Sequence, residues 1–334
     1  MTSMNTSYQM GNFSCSINMT DWETAINQLY TYFYLIIFIP GVLSNTLALW
    51  VLCRFVSKKT KAIIFMINLT VADLAHVLSL PLRIHYYIQQ DWPFGNELCL
   101  LCFYLKYLNM YASIVFLVCI SIQRCGFLMH PFHARRWKSR YDVCISITVW
   151  VVVGLCCSPF ILMRSKSNSS QGNRSCFKDL PMRKLNFQLA ISMMAAAELF
   201  GFLGPLFIIG FCNYLIENSM RQRNKQQQST SDTRKALRMV RVCTGVFLFC
   251  FAPYHINFLL YLMVSQNIIT NCEASQVIKR FHPISLCMAS LNCCLNPLIY
   301  YFLTTEFKQQ LSHHGSSVLR GRLMSMESTS SYKE

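Results

Sequence analysis

Charged side chains are scarce in this chain. Only 13% of its 334 residues are charged and 53% are hydrophobic, whereas soluble domains carry about 25% charged residues. Acidic residues are the rarer kind, with 14 Asp and Glu against 30 Lys and Arg. Most of the chain must therefore lie where charge is costly, which excludes a soluble globular domain and favours an integral membrane protein.

Signatures of several other protein classes are also missing from the sequence. It contains no H-E-x-x-H, no G-x-S-x-G and no nucleotide-binding loop, so we expect a protein that is not an enzyme. The sequence contains no internal repeat, which argues against a transporter built from duplicated halves. The 17 cysteines lie mostly inside apolar runs, where cysteine behaves as a small hydrophobic residue, so we expect no zinc site.

Seven apolar segments dominate the chain, and they predict an all-α integral membrane fold, a seven-transmembrane helix bundle. Lys and Arg cluster in the connections after the first, third and fifth segments, which predicts that these connections are cytoplasmic and the N-terminus extracellular. The net charge of +16 is thereby assigned to loops rather than to nucleic-acid binding. We expect a multi-pass protein of the plasma membrane. The predicted segments are 29–54, 62–88, 97–129, 141–163, 187–218, 236–264 and 277–302.

The regions outside the bundle are polar. Residues 1–28 contain no Lys or Arg and predict an extracellular glycosylated tail rather than a cleaved signal peptide. Residues 303–313 predict a short amphipathic eighth helix on the membrane surface, and residues 314–334 a disordered, Ser-rich cytoplasmic tail. N-x-S/T sequons in the N-terminal tail and in the loop between segments 4 and 5 are candidate glycosylation sites, at Asn5, Asn12, Asn18, Asn168 and Asn173.

The third segment carries one lysine and one arginine within a long apolar run. Lys106 and Arg124 are separated by about five turns at ~3.6 residues per turn, so they lie on one face of the helix, near its opposite ends. Isolated charges at such depths point into a protein interior. Our hypothesis is that Lys106 contacts a signal outside the cell and Arg124 reports it inside.

The loop between segments 4 and 5 is basic although its sequons place it outside the cell. It is either a solvated basic loop or an electrostatic funnel for an anionic ligand. Cys176 in this loop and Cys99 at the start of segment 3 both face an oxidising compartment, which predicts a disulfide between them. Cys15 and Cys272 are a second candidate pair.

Asp73 lies near the middle of the second segment, where an ionised carboxylate needs partners or a cation. Carboxylate, amide and hydroxyl oxygens suit a hard cation such as Na⁺. The alternative is a network of interhelical hydrogen bonds with water. Candidate partners on segments 1, 3 and 7 are Asn45, Asn109, Ser113, Asn292 and Asn296.

Taken together, these features resemble the rhodopsin-like (class A) G-protein-coupled receptors over residues 29–312. Stretches such as LSLPLRI, DWPFG and CFYLKYLNMYAS place the resemblance in the purinergic-receptor-like branch, and within it the sequence is most similar to the lysophosphatidylserine-sensing receptors. The motif residues that carry the resemblance are Asn45, Asp73, Trp92, Cys99, Arg124, Pro131, Trp150, Pro205, Phe251, Pro253, Asn296, Pro297 and Tyr300.

The resemblance implies a receptor in which a ligand between the outer helix halves moves the inner end of segment 6, after which a heterotrimeric G protein, of the twelve/thirteen class, docks inside. Arrestin is a further candidate partner, membrane lipids surround the bundle, and no cofactor is implied apart from an allosteric sodium ion. The family's sodium positions correspond to Asp73, Asn109, Ser113, Asn292 and Asn296. Its activation and coupling positions correspond to Arg124, Phe251, Pro253, Pro297 and Tyr300.

The chain departs from the family pattern at three places. Gln123 stands where an acid usually precedes the arginine, and Cys125 follows it, so the usual carboxylate restraint on Arg124 is missing and a weakly coupled decoy or orphan receptor stays open. Asn213 stands where segment 5 commonly has a tyrosine. Asn296 replaces an Asp that is frequent in this branch.

A lysophosphatidylserine needs cations for its phosphate and carboxylate, an acceptor for its ammonium and an apolar cleft for its acyl chain. Glu198 is the candidate acceptor, and an ion pair between Glu198 and Lys106 is an equally open alternative. An anionic nucleotide is the alternative ligand class, because it would use the same basic outer pocket. The candidate ligand-binding residues are Arg83, Tyr86, Tyr87, Lys106, Tyr107, Arg164, Glu198, His255 and Arg280.

Overall fold

The computed structural model is built almost entirely of helices, and no strand occurs among the residues that it describes. These residues are 20–54, 62–130, 132, 136–162, 176–177, 187–225, 231–265 and 268–303. The helices are α1 (Thr20–Arg54), α2 (Ile63–Gln89), α3 (Asn96–Met129), α4 (Ser139–Leu162), α5 (Phe187–Glu198), a π-helical turn (Leu199–Leu203), α6 (Gly204–Lys225), α7 (Ser231–Ser265), α8 (Cys272–Ser290) and α9 (Asn292–Leu303).

These elements correspond to the seven predicted segments, which confirms the fold class. Six of the helical segments are long and apolar enough to cross a membrane. The fifth segment consists of α5, the π-helical turn and α6, and the seventh consists of α8 and α9, which are separated at Leu291. Three helices begin at least five residues earlier than predicted, α1 at Thr20, α7 at Ser231 and α8 at Cys272, because a helix continues into polar residues beyond the apolar run that reveals it. The predicted eighth helix lies outside the described residues beyond Leu303.

Helix α3 is the centre of the bundle. It packs against α2, α4, α6, α7 and α8, and the ring of helices closes where α9 packs against α1 and α2. Buried apolar side chains, most of them from α2, α3, α6 and α7, form the largest core cluster, which includes Leu69, Phe116 and Phe247. The end of the bundle where α3 begins is called the Cys99 end below, and the end where α3 finishes is called the Arg124 end.

Proline explains two irregularities in the helices. Pro205 has no N–H, and the turn just before it is π-helical, with the amide of Gly204 donating to the carbonyl of Leu199. Pro297 likewise leaves the carbonyl of Cys293, four residues earlier, without its helical donor. The side-chain amide of Asn45 on α1 donates to this carbonyl at 2.7 Å, which ties the first helix to the last.

A conformational requirement for glycine occurs where the chain enters α3. Gly95 immediately precedes the helix and has a φ of 80°, a region that favours glycine. Its carbonyl accepts a hydrogen bond from the indole N–H of Trp92 at 2.6 Å. The turn therefore fixes the start of α3, and with it the position of Cys99.

A hydrogen bond between two partly buried side chains joins α2 to α4. The indole N–H of Trp150 donates to the amide oxygen of Asn68 at 2.8 Å. We expect Trp150→Phe to lower the free energy of unfolding by about 1–3 kcal/mol, because the Asn68 oxygen loses its donor in a water-poor interior. The test is the thermal unfolding of the purified protein. Tyr214→Phe removes one polar group from a ring that is 64% exposed and should leave the melting temperature unchanged; equal melting temperatures for both variants would contradict the expectation.

Candidate functional site

Three charged side chains are almost completely buried in the described part of the chain. Asp73, Arg83 and Asp142 are 0%, 1% and 6% exposed, although Asp and Arg are almost never buried without a partner. Within the described residues, none of the three forms an ion pair, and each contacts neutral groups instead. They lie at three levels, with Arg83 near the Cys99 end, Asp73 halfway along α2 and Asp142 near the Arg124 end.

The guanidinium of Arg83 lies between α2 and α3 among aromatic rings. One of its N–H groups donates to the carbonyl of Cys102. Its central carbon lies 4.7 Å from the ring centre of Phe177 and 5.8 Å from that of Phe103. The Nε atom has no hydrogen-bond acceptor among the described residues. Arg83 is therefore a buried cation with free donor capacity and a preformed orientation.

A disulfide holds the aromatic side of this pocket in place. Cys99 and Cys176 are bonded, as the sequence predicts, and Phe177 follows directly. The Phe177 ring packs on the rings of Tyr86 and Tyr87, at 5.2 and 5.9 Å. Cys272 is also disulfide-bonded, whereas Cys15, the other half of the second predicted pair, lies outside the described residues.

The second predicted cation of the pocket lies on α3. The ammonium of Lys106 is 5.9 Å from the ring centre of Tyr30 on α1, and Tyr30 stacks on Tyr87 at 4.8 Å. Tyr107 is partly buried against the main core cluster. The structure thus brings Lys106 and the three predicted tyrosines to the Cys99 end of the bundle, and it adds Tyr30, which the sequence analysis did not name.

Glu198 and His255 form a pair between α5 and α7. The Oε1 atom of Glu198 lies 3.3 Å from Nδ1 of His255, and their side chains are 15% and 0% exposed. Glu198 therefore pairs with His255, and the alternative ion pair with Lys106 is wrong. Phe202 from the π-helical turn stacks on the imidazole at 5.1 Å, so the turn places an aromatic ring directly against the pair.

Of the other predicted ligand cations, one is exposed and one cannot be placed among the described residues. Arg280 on α8 is exposed, and its guanidinium lies 5.5 Å from the ring centre of Trp22 at the start of α1. Arg164 lies outside the described residues, as do all five candidate glycosylation sites. The described pocket therefore contains two of the four predicted cations, Arg83 and Lys106.

Asp73 receives one amide donor on each carboxylate oxygen. Asn109 on α3 donates to Oδ1 at 2.8 Å, and Asn296 on α9 donates to Oδ2 at 2.9 Å. Ser113 is joined to the cluster through a longer contact of 3.5 Å with the Asn109 amide. Asn292 is fully buried and does not contact Asp73, and neither of its amide atoms has a described partner. Asn45 contacts backbone carbonyls instead.

The chemistry of these residues fits a hard cation. Besides the Asp73 carboxylate, the cluster contains the hydroxyl of Ser113 and the buried amide oxygens of Asn292 and Asn296, which lack described donors. Oxygen atoms of this kind are the ligands that hard cations prefer. The same atoms also suit ordered water, the alternative that the sequence left open.

The predicted activation residues lie on α3, α7 and α9 and are not gathered at one end of the bundle. Arg124 is partly buried, and Phe251 is fully buried with its ring edge against Phe247 at 5.7 Å. Pro253 and Pro297 lie within α7 and α9. The backbone of Tyr300 belongs to α9, and its side chain lies outside the described residues.

Two of the departures from the family pattern have partners on neighbouring helices. Gln123 donates to Asp142 on α4 at 2.8 Å, and Asn213 on α6 donates to Thr244 on α7 at 2.5 Å. The side-chain N–H of each residue is therefore hydrogen-bonded to the neighbouring helix, while its amide oxygen has no described partner.

Sequence reasoning missed a polar group between α7 and α8. The side-chain amide of Asn257 lies 3.2 Å from Nδ1 of His282, and the ring of Tyr261 stacks on the imidazole at 4.6 Å. It also missed His76, one turn from Asp73, whose two ring nitrogens are buried without described partners. The available signal was the presence of polar residues inside otherwise apolar runs.

Comparison with known proteins decides the family. The model of the seven-transmembrane receptors of the rhodopsin family matches residues 44–300. The chain belongs to this family. It is 58% identical to the human protein that is named as purinoceptor 10, over 91% of this chain and 89% of that protein. It is 49% identical to the human "Probable G-protein coupled receptor 174" over 85% of both chains.

More distant relatives have a lipid in their names. The chain is 32% identical to the human lysophosphatidic acid receptor 6, over 87% of this chain and 85% of that receptor. The rhodopsin family is a family of receptors, which confirms that the chain is not an enzyme. The chain is a multi-pass membrane receptor of the purinergic-like branch, and G proteins are the partners that its family implies.

A glycine in the π-helical turn makes the contact between the fifth segment and α3 possible. A Cβ atom on Gly201 would lie 2.7 Å from Cε1 of Tyr111 and 3.3 Å from Cε1 of His255. We expect Gly201→Ala to displace Tyr111 and to lower the free energy of unfolding by about 1–3 kcal/mol. Gly210→Ala is the matched control, because no atom lies within 4 Å of its added Cβ. The measurement is thermal unfolding of both purified variants, and a stable Gly201→Ala variant would show that the close approach is not needed.

Proposed function

We propose that this chain is a plasma-membrane receptor for an anionic lysophospholipid, lysophosphatidylserine in particular, and that it signals through heterotrimeric G proteins of the twelve/thirteen class. Its Cys99 end faces outside with the N-terminus, and its Arg124 end faces the cytoplasm. The observation that supports the ligand class most directly is the buried guanidinium of Arg83, which has no carboxylate partner in the described residues.

A buried charge without an opposite charge is costly, and effective penalties are several kcal/mol per ion. The Cys102 carbonyl and the two aromatic faces lower this cost for Arg83 only in part. A phosphate supplies a full counter-charge and can accept two parallel N–H groups from one guanidinium. A ligand phosphate at Arg83 therefore gains the interaction that the protein alone does not provide.

The remaining parts of a lysophosphatidylserine have counterparts around Arg83. Lys106 is the second cation, for the serine carboxylate, and Tyr86, Tyr87 and Tyr107 add hydroxyl groups. Arg280 adds an exposed positive charge on α8, and Arg164 stays a candidate from the sequence. The Glu198 carboxylate, paired with His255, is the acceptor for the ammonium. The lipid names of the more distant relatives favour a ligand with an acyl chain.

The alternative ligand is a nucleotide, which the purinoceptor name of one relative favours. A nucleotide would use the same cations but has no acyl chain. A series of lysophosphatidylserines with shortened chains separates the two classes, since a nucleotide receptor should respond to none of them and a lipid receptor should lose potency as the chain shortens.

Activation is a shift of population between two helix packings. A ligand that contacts α2, α3 and the Glu198–His255 pair shifts the populations only if it binds one packing more tightly than the other. The size of the shift is set by that difference in affinity. We propose that the Arg124 end of α7 then moves outward and that Arg124 and Tyr300 rearrange to admit the G protein, with Phe251, Pro253 and Pro297 as the switch and hinge positions. Arrestin would bind the same face.

Substitution of the two pocket cations tests the ligand model. Arg83→Ala and Lys106→Ala should reduce the potency of lysophosphatidylserine at least tenfold, because each removes one charge-assisted contact of about 1.5–3 kcal/mol. The measurement is G-protein activation in cells with equal surface expression. Lys279→Ala removes an exposed cation on α8 and should respond like wild type. Wild-type potency in both pocket variants would refute the headgroup model.

We further propose that the Asp73 cluster binds an allosteric sodium ion, with Asp73, Asn109, Ser113, Asn292 and Asn296 as its residues. Sodium chloride should raise the melting temperature of the purified wild-type receptor above its value in choline chloride at equal ionic strength, because a bound ion stabilises the folded state. Asp73→Asn should abolish this difference. An undiminished sodium effect in Asp73→Asn would place the ion elsewhere, and no sodium effect in the wild type would favour the water network.

A further inference from the structure

Asp142 is a buried carboxylate that joins three parts of the chain at the Arg124 end. Its Oδ1 atom accepts the side-chain amide of Gln123 near the end of α3 and the indole N–H of Trp137 in the connection, each at 2.8 Å. Asp142 itself lies in the first turn of α4. One oxygen atom therefore links α3, the α3–α4 connection and α4.

The surroundings hold this carboxylate and its donors in one arrangement. The hydroxyl of Ser146 donates to the backbone carbonyl of Asp142 at 2.8 Å, a bond within α4 that does not involve the carboxylate. The Trp137 ring lies between Phe127 and Tyr141, at 6.1 and 5.3 Å, with both contacts edge-to-face. Asp142 is 6% exposed, and among the described residues it forms no ion pair, so the interaction depends on the two N–H donors.

The donors also depend on Asp142. The Gln123 side chain is 7% exposed, and its amide donates to no other described acceptor. Hydrogen bonds to an ionised acceptor are roughly twice as strong as neutral ones. Loss of the carboxylate would leave a buried amide unsatisfied and remove the acceptor of the indole. The connection would then lose its hydrogen-bonded link to α3 and keep only the contact between the Trp137 and Phe127 rings.

The connection carries surface that a cytoplasmic partner would meet. Phe132 in the connection is 80% exposed. At the adjoining start of α4, Arg140 extends over the ring of Tyr141, with 5.4 Å between guanidinium carbon and ring centre. Arg136 is exposed as well. This aromatic and basic surface keeps a fixed position relative to Arg124 only while the connection is attached to both helices.

We propose that Asp142 is a positioning residue for G-protein coupling, because it fixes the α3–α4 connection against the end of α3 next to Arg124. The carboxylate at this end is supplied by α4, and the residue that precedes Arg124 is its neutral hydrogen-bond partner Gln123. The proposal requires a G-protein-coupled receptor and is independent of which ligand binds.

Exchanging the two hydrogen-bonding groups tests the proposal. Gln123→Glu places two carboxylates against each other, and Asp142→Ala removes the acceptor, so both should weaken the attachment. In the double variant Gln123→Glu/Asp142→Asn, the new amide can donate to the new carboxylate while its oxygen still accepts the indole. The double variant should therefore restore the hydrogen-bonded attachment that Gln123→Glu weakens. Ser146→Ala, which removes only a bond to the backbone, is the control.

Two measurements on purified full-length receptor at equal concentration are needed. Hydrogen exchange of the backbone amides of residues 136–141 should be about tenfold faster in Asp142→Ala and Gln123→Glu, and near the wild-type rate in the double variant and the control. Ligand-independent nucleotide exchange on a panel of purified heterotrimeric G proteins should fall at least threefold in the two single variants and recover in the double variant.

The proposal would be overturned if Asp142→Ala exchanged its backbone hydrogens at the wild-type rate. It would also be overturned if the double variant showed the same hydrogen-exchange and nucleotide-exchange rates as Gln123→Glu. A loss of protection without any loss of nucleotide exchange would also overturn it, because the attachment would then be structural only. If Asp142→Ala does not fold, Trp137→Phe replaces it, because this variant removes one N–H donor and keeps an aromatic side chain. It should raise the hydrogen-exchange rate and lower nucleotide exchange by less than Asp142→Ala, and wild-type values of both would contradict the proposal.

Discussion

A charge inside an apolar helix bundle persists only where neutral groups or a ligand compensate the loss of water. The described bundle contains three such charges, Arg83, Asp73 and Asp142, one at each level. Both carboxylates accept two N–H donors from other parts of the chain, so their charge is used to join helices. Arg83 differs, because it has one carbonyl, two aromatic faces and an unused Nε. That unused donor capacity suits Arg83 to an anionic ligand.

The same constraint governs the backbone. In a lipid environment each carbonyl needs a donor, and proline removes one in several of the helices. The amide of Asn45 compensates for Pro297, and the π-helical turn precedes Pro205. These local solutions also position functional groups, because the π-helical turn places Phe202 against His255 and the Asn45 contact fixes the helix that carries Asn296.

Much of the fold followed from composition and apolar runs, because helix existence and orientation depend on segment length and on the charge of the loops. Charge spacing along α3 also predicted that Lys106 lies in the interior. The sequence could not assign partners between helices. The helical period shows which face of its own helix a side chain occupies, but it does not show which residue of the neighbouring helix lies opposite. Hence Glu198 pairs with His255 rather than Lys106, and Gln123 contacts Asp142, which lies one helix away. The division of the seventh segment at Leu291 also depends on tertiary contacts.

The most direct test of the account is the thermal stability of Arg83→Met with and without lysophosphatidylserine. Methionine is of similar length and carries no charge, so the ligand-free variant should be at least as stable as wild type, as is often found when buried charges are replaced by apolar residues. Lysophosphatidylserine should raise the melting temperature of the wild type and leave that of the variant unchanged, because a ligand stabilises only the state it binds. A less stable variant that keeps the full ligand-induced increase would contradict the claim that Arg83 is the anion site.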